Sequence, residues 1–232
     1  MWFGKIGGGS HQDVLESFYK DQAELYDSYR CRMLHGRLPL IRAMPKPKGG
    51  TWVDMGGGTG ANLEFLGPSL NHFGKVVVLD LCPSLAEQAK ARVARHADWG
   101  WDTFVSVTVA DATDPAAPGL PGAGTVDVVS FSYALTMIPD WQAAVQNAKR
   151  LLKKGGHLCV CDFTVDPEQQ GWGMPWFWRR LFATDHVHLR EEHRVYLRAE
   201  FTPVHEDMGF GTFPYVPPFL RAPWYNFIGK KE

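Results

Sequence analysis

The sequence holds four cysteines and no C-x-x-C pair, which excludes a disulfide-built scaffold and fits a reducing compartment. It also lacks an excess of charge. Twenty-four basic side chains face 25 acidic ones, so there is no global field to grip a nucleic-acid backbone, and any attraction to an anionic surface needs a local patch. No long hydrophobic run is present either. The longest uncharged apolar stretch, Val128 to Pro139, contains Ser130, Ser132 and Tyr133 and falls short of the roughly 18 residues needed to span a bilayer. The first residues lead into Gly7-Gly8-Gly9-Ser10 rather than a basic-then-apolar leader. An intracellular globular protein is expected, at most peripheral to a membrane, with residues 1–12 as a flexible tail or linker.

What is present is a regular alternation. Val14, Leu15, Phe18, Leu25, Tyr26 and Tyr29 recur at helical spacing between Asp13 and Leu34, and Gly36 stops the pattern. Residues 13–50 therefore read as a helical cap. Short β-rich runs follow at 51–55, 75–80, 104–109, 126–131 and 157–162, separated by helical stretches at 62–66, 83–97 and 141–153, the last closed by Gly155-Gly156. Strands alternating with helices predict an α/β, Rossmann-like, doubly wound sheet of seven strands, mostly parallel, with right-handed crossovers. Residues 51–162 are its core. Beyond residue 162 the rhythm breaks into an aromatic-rich region, 163–232, read as irregular structure. Two late strand-like stretches, 201–206 and 224–228, are expected to form an antiparallel pair at one sheet edge.

In such sheets ligands sit beyond the carboxyl ends of the strands, at the switch point. Gly56, Gly58 and Gly60 permit a turn that lets backbone approach a ligand closely. Asp80 ends the second strand, where a carboxylate can accept both hydroxyls of a ribose. Asp111 follows the third strand, where it can accept from an adenine amino group, or simply form a turn. Leu81, Ala112 and Ser132 stand beside these positions and complete the expected cofactor set. Read narrowly, Gly56-Gly-Gly58-Thr-Gly-Ala61 also satisfies the dinucleotide pattern of a nicotinamide oxidoreductase. Three features favour S-adenosylmethionine instead. Asp54, two residues before the first glycine, offers a carboxylate for an ammonium. Asp111-Ala-Thr-Asp114 supplies an adenine-side acid. The alternation is expected to build a single sheet, with no second domain expected for a hydride acceptor.

Val53-Asp-Met-Gly-Gly-Gly-Thr-Gly60 resembles the first motif of class I S-adenosylmethionine-dependent methyltransferases. Further stretches resemble the N-methyltransferase part of betaine lipid synthase: Phe18-Tyr19 with Gln22-Ala23, Tyr26-Asp27, Leu34-His-Gly36, Ser132-Tyr-Ala-Leu-Thr-Met-Ile-Pro-Asp-Trp141, Trp178-Arg-Arg with Phe182, and Arg221-Ala-Pro-Trp-Tyr. The glycine motif is generic and the later stretches are more specific. The resemblance implies trimethylation of the amino group of diacylglycerylhomoserine, giving diacylglyceryltrimethylhomoserine. It further implies a lipid substrate at a membrane surface, a place on an internal membrane (the endoplasmic reticulum in a eukaryote), and an aminocarboxypropyltransferase as partner or fused domain. Transfer to another small amine stays open, as does a non-enzymatic scaffold.

Methyl transfer needs a neutral amine close to the donor, and aromatic faces suit the growing trimethylammonium group. Tyr26 and Tyr133 are the expected catalytic pair, with ordinary core packing as the competing role. Tyr19, Arg30, Trp141, Trp176, Trp178 and Arg179 are expected at the substrate or membrane face. Nine tryptophans are unusual for this length. The run Trp172, Met174, Trp176, Phe177 and Trp178 before Arg179-Arg180 combines apolar insertion with attraction for anionic headgroups, or caps the sheet edge. Arg30, Arg32, Arg37, Arg42, Lys46 and Lys48 form a second basic group suited to a substrate carboxylate. His35, Asp162, Asp185 and His186 are candidate bases, none of them outstanding. No metal site is expected, because His186-x-His188 and His193 lack Cys or carboxylate at ligand spacing. Cys159 and Cys161 read as core residues on one strand face.

Overall fold

The computed structural model describes residues 9–20 (apart from the Phe18 side chain), 33–213, 216–217 and 219–232. Seven strands build one sheet: β1 (Gly50–Met55), β2 (Phe73–Asp80), β3 (Val105–Val109), β4 (Val126–Ser132), β5 (Leu152–Phe163), β6 (Thr202–Gly211) and β7 (Ala222–Lys230). Their order is β3-β2-β1-β4-β5-β7-β6. The first five pair in parallel, and β7 runs antiparallel to both of its neighbours. The expected antiparallel pair at the edge is therefore present. The reversed strand is β7, one place in from the edge.

Alternation along the strands sorts side chains between two faces. Trp52, Val76, Val78, Val128, Cys159 and Cys161 share one cluster with Leu40 and Ile41 of α2 (Arg37–Ala43), Leu63 and Leu66 of α3 (Ala61–Leu66), Ala89 and Val93 of α4 (Pro83–Arg95), and Trp101 of α5 (Trp101–Phe104). Val53, Met55, Val77, Leu79, Val129 and Phe131 pack on the other face against α6 (Trp141–Leu151). Both cysteines of β5 are core residues on one face, as the two-residue spacing predicts. The outer layers are completed by α1 (His11–Tyr19), α7 (Met174–Ala183) and α8 (Glu192–Glu200). No helix among the described residues is long and apolar enough to cross a membrane.

Three of the differences from expectation have a local reason. The first helix begins at His11 rather than beyond residue 12, because Ser10 and Asp13 form a reciprocal capping box. Helix α6 stops at Leu151, since Leu152 is fully buried and pairs with Val126. Sheet burial there outweighs the helix propensity of Lys153 and Lys154. The stretch after residue 163 is not irregular throughout. It carries α7 and α8, and Pro175 sits in the first turn of α7, where its missing N–H costs nothing.

Candidate active site

The carboxyl ends of β1, β2, β3 and β4 open into a cavity of about 220 Å³ at the switch between β1 and β4. Its floor is the turn after β1. Gly56 has φ +66°, and a Cβ there would lie 2.5 Å from that of Ala134. Gly58 has φ +58° and faces open space, while its N–H donates to Asp80 Oδ2 at 2.8 Å. The other Asp80 oxygen accepts from Cys82 N at 2.9 Å. Asp80 is thus held at the cavity wall by two backbone donors. Burial pushes its carboxyl up to about 6, with Asp54 and Glu16 adding to the rise.

Leu81, Asp111, Ala112 and Ser132 line the same cavity. Asp111 forms the turn foreseen for it as one of two roles, at the rim of the cavity. One oxygen accepts from Thr113 N and Oγ1, each at 2.8 Å, in a turn, and the residue still borders the cavity. Ser132 Oγ is buried with no hydrogen-bond partner. An orphaned hydroxyl, an open glycine cradle and two carboxylates at adjacent strand ends fit the amino-acid, phosphate-free ribose and base portions of a nucleoside cofactor.

Asp54 requires a correction. Its carboxylate is fully buried and does not line the cavity. It accepts from Ser130 Oγ at 2.5 Å and from Asn62 Nδ2 at 2.8 Å. Trp52 Nε1 in turn donates to Ser130 Oγ at 2.8 Å, and Arg37 Nε donates to Asn62 Oδ1 at 2.8 Å. Both Asp54 oxygens are thus engaged inside the protein rather than offered to the cavity. Through Asn62, Asp54 positions Arg37, whose side chain lines the cavity with only 8% of the residue exposed. Gly60 also stands back from the cavity and occupies the N-cap of α3.

The opposite wall is apolar and aromatic, formed by Leu15, Tyr19, Leu34, Tyr133 and Met137. Tyr133 has a left-handed φ of +57°, an unfavourable conformation for a bulky side chain that persists only where the surroundings hold it. Its N–H donates to Cys161 O at 2.7 Å, its ring packs edge-on against Phe163, and its hydroxyl donates to the His35 carbonyl. Burial raises the phenol well above its ordinary value, so it remains a neutral donor, tied to His35. Tyr133→Phe should lower the melting temperature by about 1–6 °C, from about 0.5–1.5 kcal/mol for one lost hydrogen bond, since Cys161 Sγ still donates to the same carbonyl at 3.4 Å. Unchanged thermal melting would show that this hydroxyl does not fasten the 34–36 segment.

Helix α1 contributes to this wall. His11, Leu15 and Tyr19, each four residues apart, all line the cavity. Gln12 Nε2 donates to Leu81 O at 3.1 Å, and Glu16 accepts from Cys82 Sγ and Ser84 N. The four-residue spacing was the signal for His11, and it was missed. Arg37 was read only as one of a basic group.

Tyr26 and Arg30 lie outside the described residues, as does Arg32. Trp141 is not at the substrate face. It opens α6 and is buried with its ring edge-on to His193 and Tyr196 of α8. Trp178 is fully buried beside Phe182 and Phe213, because it shares the inward stripe of α7 with Phe182, four residues on. Trp176 is exposed, and Arg179 is half-exposed with Nη2 3.6 Å from Glu191 Oε1. Asp162 is no base for the cavity. It is buried, accepts from Thr136 N and Oγ1 and from Phe163 N, and holds the turn that carries Met137. His35, Asp185 and His186 do not line the cavity either. No group of three metal-ligating side chains occurs among the described residues.

A family model described as a methyltransferase domain (Methyltransf_23) matches residues 24–201. Nocamycin O-methyltransferase of Saccharothrix syringae is 33% identical over 56% of this chain and 43% of its own length. The ubiquinone/menaquinone biosynthesis C-methyltransferase of Agrobacterium fabrum is 25% identical over 98% of this chain and 89% of its own. The chain thus spans less than half of the first relative and most of the second. Among solved structures, the fold matches phosphoethanolamine N-methyltransferase 2 of Haemonchus contortus, in complex with S-adenosyl-L-methionine (TM-score 0.69, 15% identity, 97% of this chain, 60% of that one). It also matches geranyl diphosphate C-methyltransferase of Streptomyces coelicolor, with Mg²⁺, geranyl diphosphate and S-adenosyl-L-homocysteine (TM-score 0.64, 18% identity, 98% and 86%).

Proposed function

The chain belongs to this methyltransferase-domain family, and from that premise we propose that it is an S-adenosylmethionine-dependent N-methyltransferase that trimethylates diacylglycerylhomoserine. The nicotinamide reading of the glycine turn has no place in that family. When bound, S-adenosylmethionine supplies an electrophilic methyl group on sulfur. Asp80 would hold the ribose hydroxyls, the 56–58 turn would underlie the amino-acid end, and Asp111 and Ala112 would border the base.

The observation that carries the acceptor reading is Arg37, a buried guanidinium in the wall of a cavity whose apolar and aromatic side includes Tyr19, Leu34, Tyr133 and Met137. A guanidinium there suits the carboxylate of an amino-acid headgroup. It also disfavours a second positive charge beside it, and burial against apolar walls acts in the same direction. Both effects lower the pKa of the acceptor's ammonium and supply the neutral amine that the reaction requires, with no dedicated base. Aromatic faces then accommodate the quaternary product. Choice of nitrogen and of a lipid rests on the resemblance to betaine lipid synthase. A cytoplasmic site of action on an internal membrane, and supply of the substrate by an aminocarboxypropyltransferase, follow from the same reading.

The test is transfer of labelled methyl from S-adenosylmethionine to diacylglycerylhomoserine in mixed micelles, with free homoserine in parallel. Mono-, di- and trimethylated lipid is the expected product. Methylation of homoserine alone would overturn the lipid acceptor. No transfer to either, alongside tight binding of S-adenosylhomocysteine, would overturn the acceptor class.

A further inference from the structure

We propose that the outer side of the aromatic cluster formed by α7 with Phe213, Val216 and Leu220 is a docking face for anionic lipid bilayers. The inner members of this cluster, Leu34, Tyr133 and Met137, are walls of the cavity. Its centre is Trp178, Phe182 and Phe213, with ring centroids 5.5 to 5.7 Å apart. Its outside carries Trp172 (103% exposed), Phe219 (81%) and Trp176 (70%), the three most exposed large hydrophobic residues among those described. Trp176 and Trp178 are two positions apart on one helix and so point in different directions. The first faces water while the second anchors the helix.

Three aromatic rings left in water beside a packed aromatic cluster mark an interaction site. The charge around them identifies the occupant. From Gln169 to Thr184 the only charged residues are Arg179 and Arg180, and from Met208 to Ala222 the only one is Arg221. Both aromatic segments are therefore free of acids and carry only arginine. Arg179 is engaged in part by Glu191 from the following loop, and Arg180 and Arg221 are exposed. Tryptophan and phenylalanine beside arginine suit the boundary between acyl chains and phosphate, where rings insert shallowly and guanidinium groups meet anionic headgroups. A protein partner of ordinary surface composition offers no such excess of negative charge. The cluster that carries this face also supplies Leu34, Tyr133 and Met137 to the cavity wall. That deepens the lipid reading above, although the docking itself depends on neither acceptor nor cofactor.

The experiment is flotation of the full chain with vesicles of phosphatidylcholine alone or mixed equally with phosphatidylserine, with no acceptor or cofactor present. The parent should bind the anionic vesicles, with its tryptophan emission moving to shorter wavelength. The combined variant Trp172→Ala, Trp176→Ala and Phe219→Ala should lose at least about tenfold in partitioning, while keeping the parent's melting temperature and its binding of S-adenosylhomocysteine. Arg180→Glu should weaken binding to the anionic vesicles only. Failure of the parent to bind, or equal binding by the combined variant, would overturn the proposal. So would light scattering showing a dimer of the parent that dissociates in the combined variant, because the face would then belong to a second copy. Docking without methyl transfer to the lipid would retain this face and reject only the acceptor.

Discussion

Asp80→Ala should weaken binding of S-adenosylhomocysteine at least about a hundredfold, measured by titration calorimetry. Two hydroxyl donors to an ionised acceptor contribute about 1.5–3 kcal/mol each, and every 1.4 kcal/mol is about a factor of ten. The substitution also removes the acceptor for Gly58 N and Cys82 N, so the glycine turn loses a brace along with the ligand's anchor. The pH dependence separates these effects. Burial raises the Asp80 carboxyl from 3.8 to about 6, and the ionised form is the one that accepts hydroxyls. Affinity should therefore fall as pH drops through about 6. Stability of the unliganded protein should move the other way. A folded-state pKa above the unfolded value contributes stability that is fully present below about 3.8 and lost as pH rises through about 6. Between about pH 7.5 and 5.5 the parent should gain melting temperature relative to Asp80→Asn while its affinity declines. Asp162, also raised to about 6 by burial, is common to both proteins and cancels in that comparison. Affinity that is flat across this interval would remove Asp80 from the ribose site.

Gly56→Val should abolish methyl transfer and lower the melting temperature by about 6–12 °C, from about 3 kcal/mol at about 2–4 °C per kcal/mol for a chain of this size. Two causes add. A left-handed backbone costs a residue with a Cβ about 1–2 kcal/mol. The new Cβ would also meet that of Ala134 at 2.5 Å, which forces apart the two turns that carry Gly58 on one side and Ser132 and Tyr133 on the other. Gly58→Ala is the informative companion. Its Cβ meets nothing in the protein, so it bears the backbone cost alone, yet the methyl projects into the cavity. Its affinity for S-adenosylhomocysteine should fall more than its stability does. Gly58→Ala with full affinity would show that the turn is not the floor of the cofactor site.

The core of the fold was legible because each of its elements carries its own signal. β1 to β4 are short β-branched runs, and the glycine turn, Asp80 and Asp111 sit at their ends. Which way a side chain faces was harder to read. Asp54 and Asp80 both end a strand, and only the three-dimensional placement of Asn62 and Ser130 turns Asp54 inward while Asp80 borders the cavity. Arg37 follows a glycine and precedes Leu40 and Ile41. Its burial depends on Asn62, 25 positions away, and no local pattern encodes a partner at that distance. For α7 the information was present and was outweighed. Trp178 and Phe182 are four apart, a helical stripe, and Pro175 fits the first turn of a helix, but the break in the strand–helix rhythm after residue 162 reads as irregular structure.

The position of β7 also bears on how the chain reaches this structure during synthesis. Residues 222–230 fill the gap between β5 and β6 and hydrogen-bond to both. Until they leave the ribosome, β5 presents a bare edge from His157 to Phe163, and β6 has no neighbour at all. The preceding strands and the cofactor turn can assemble well before that point, so the nascent protein passes through a stage with its catalytic half built and one sheet edge open. An open strand edge is a template for pairing between chains. Aggregation in the cell should therefore track the delay between emergence of β5 and emergence of β7 more closely than the final stability of the folded protein.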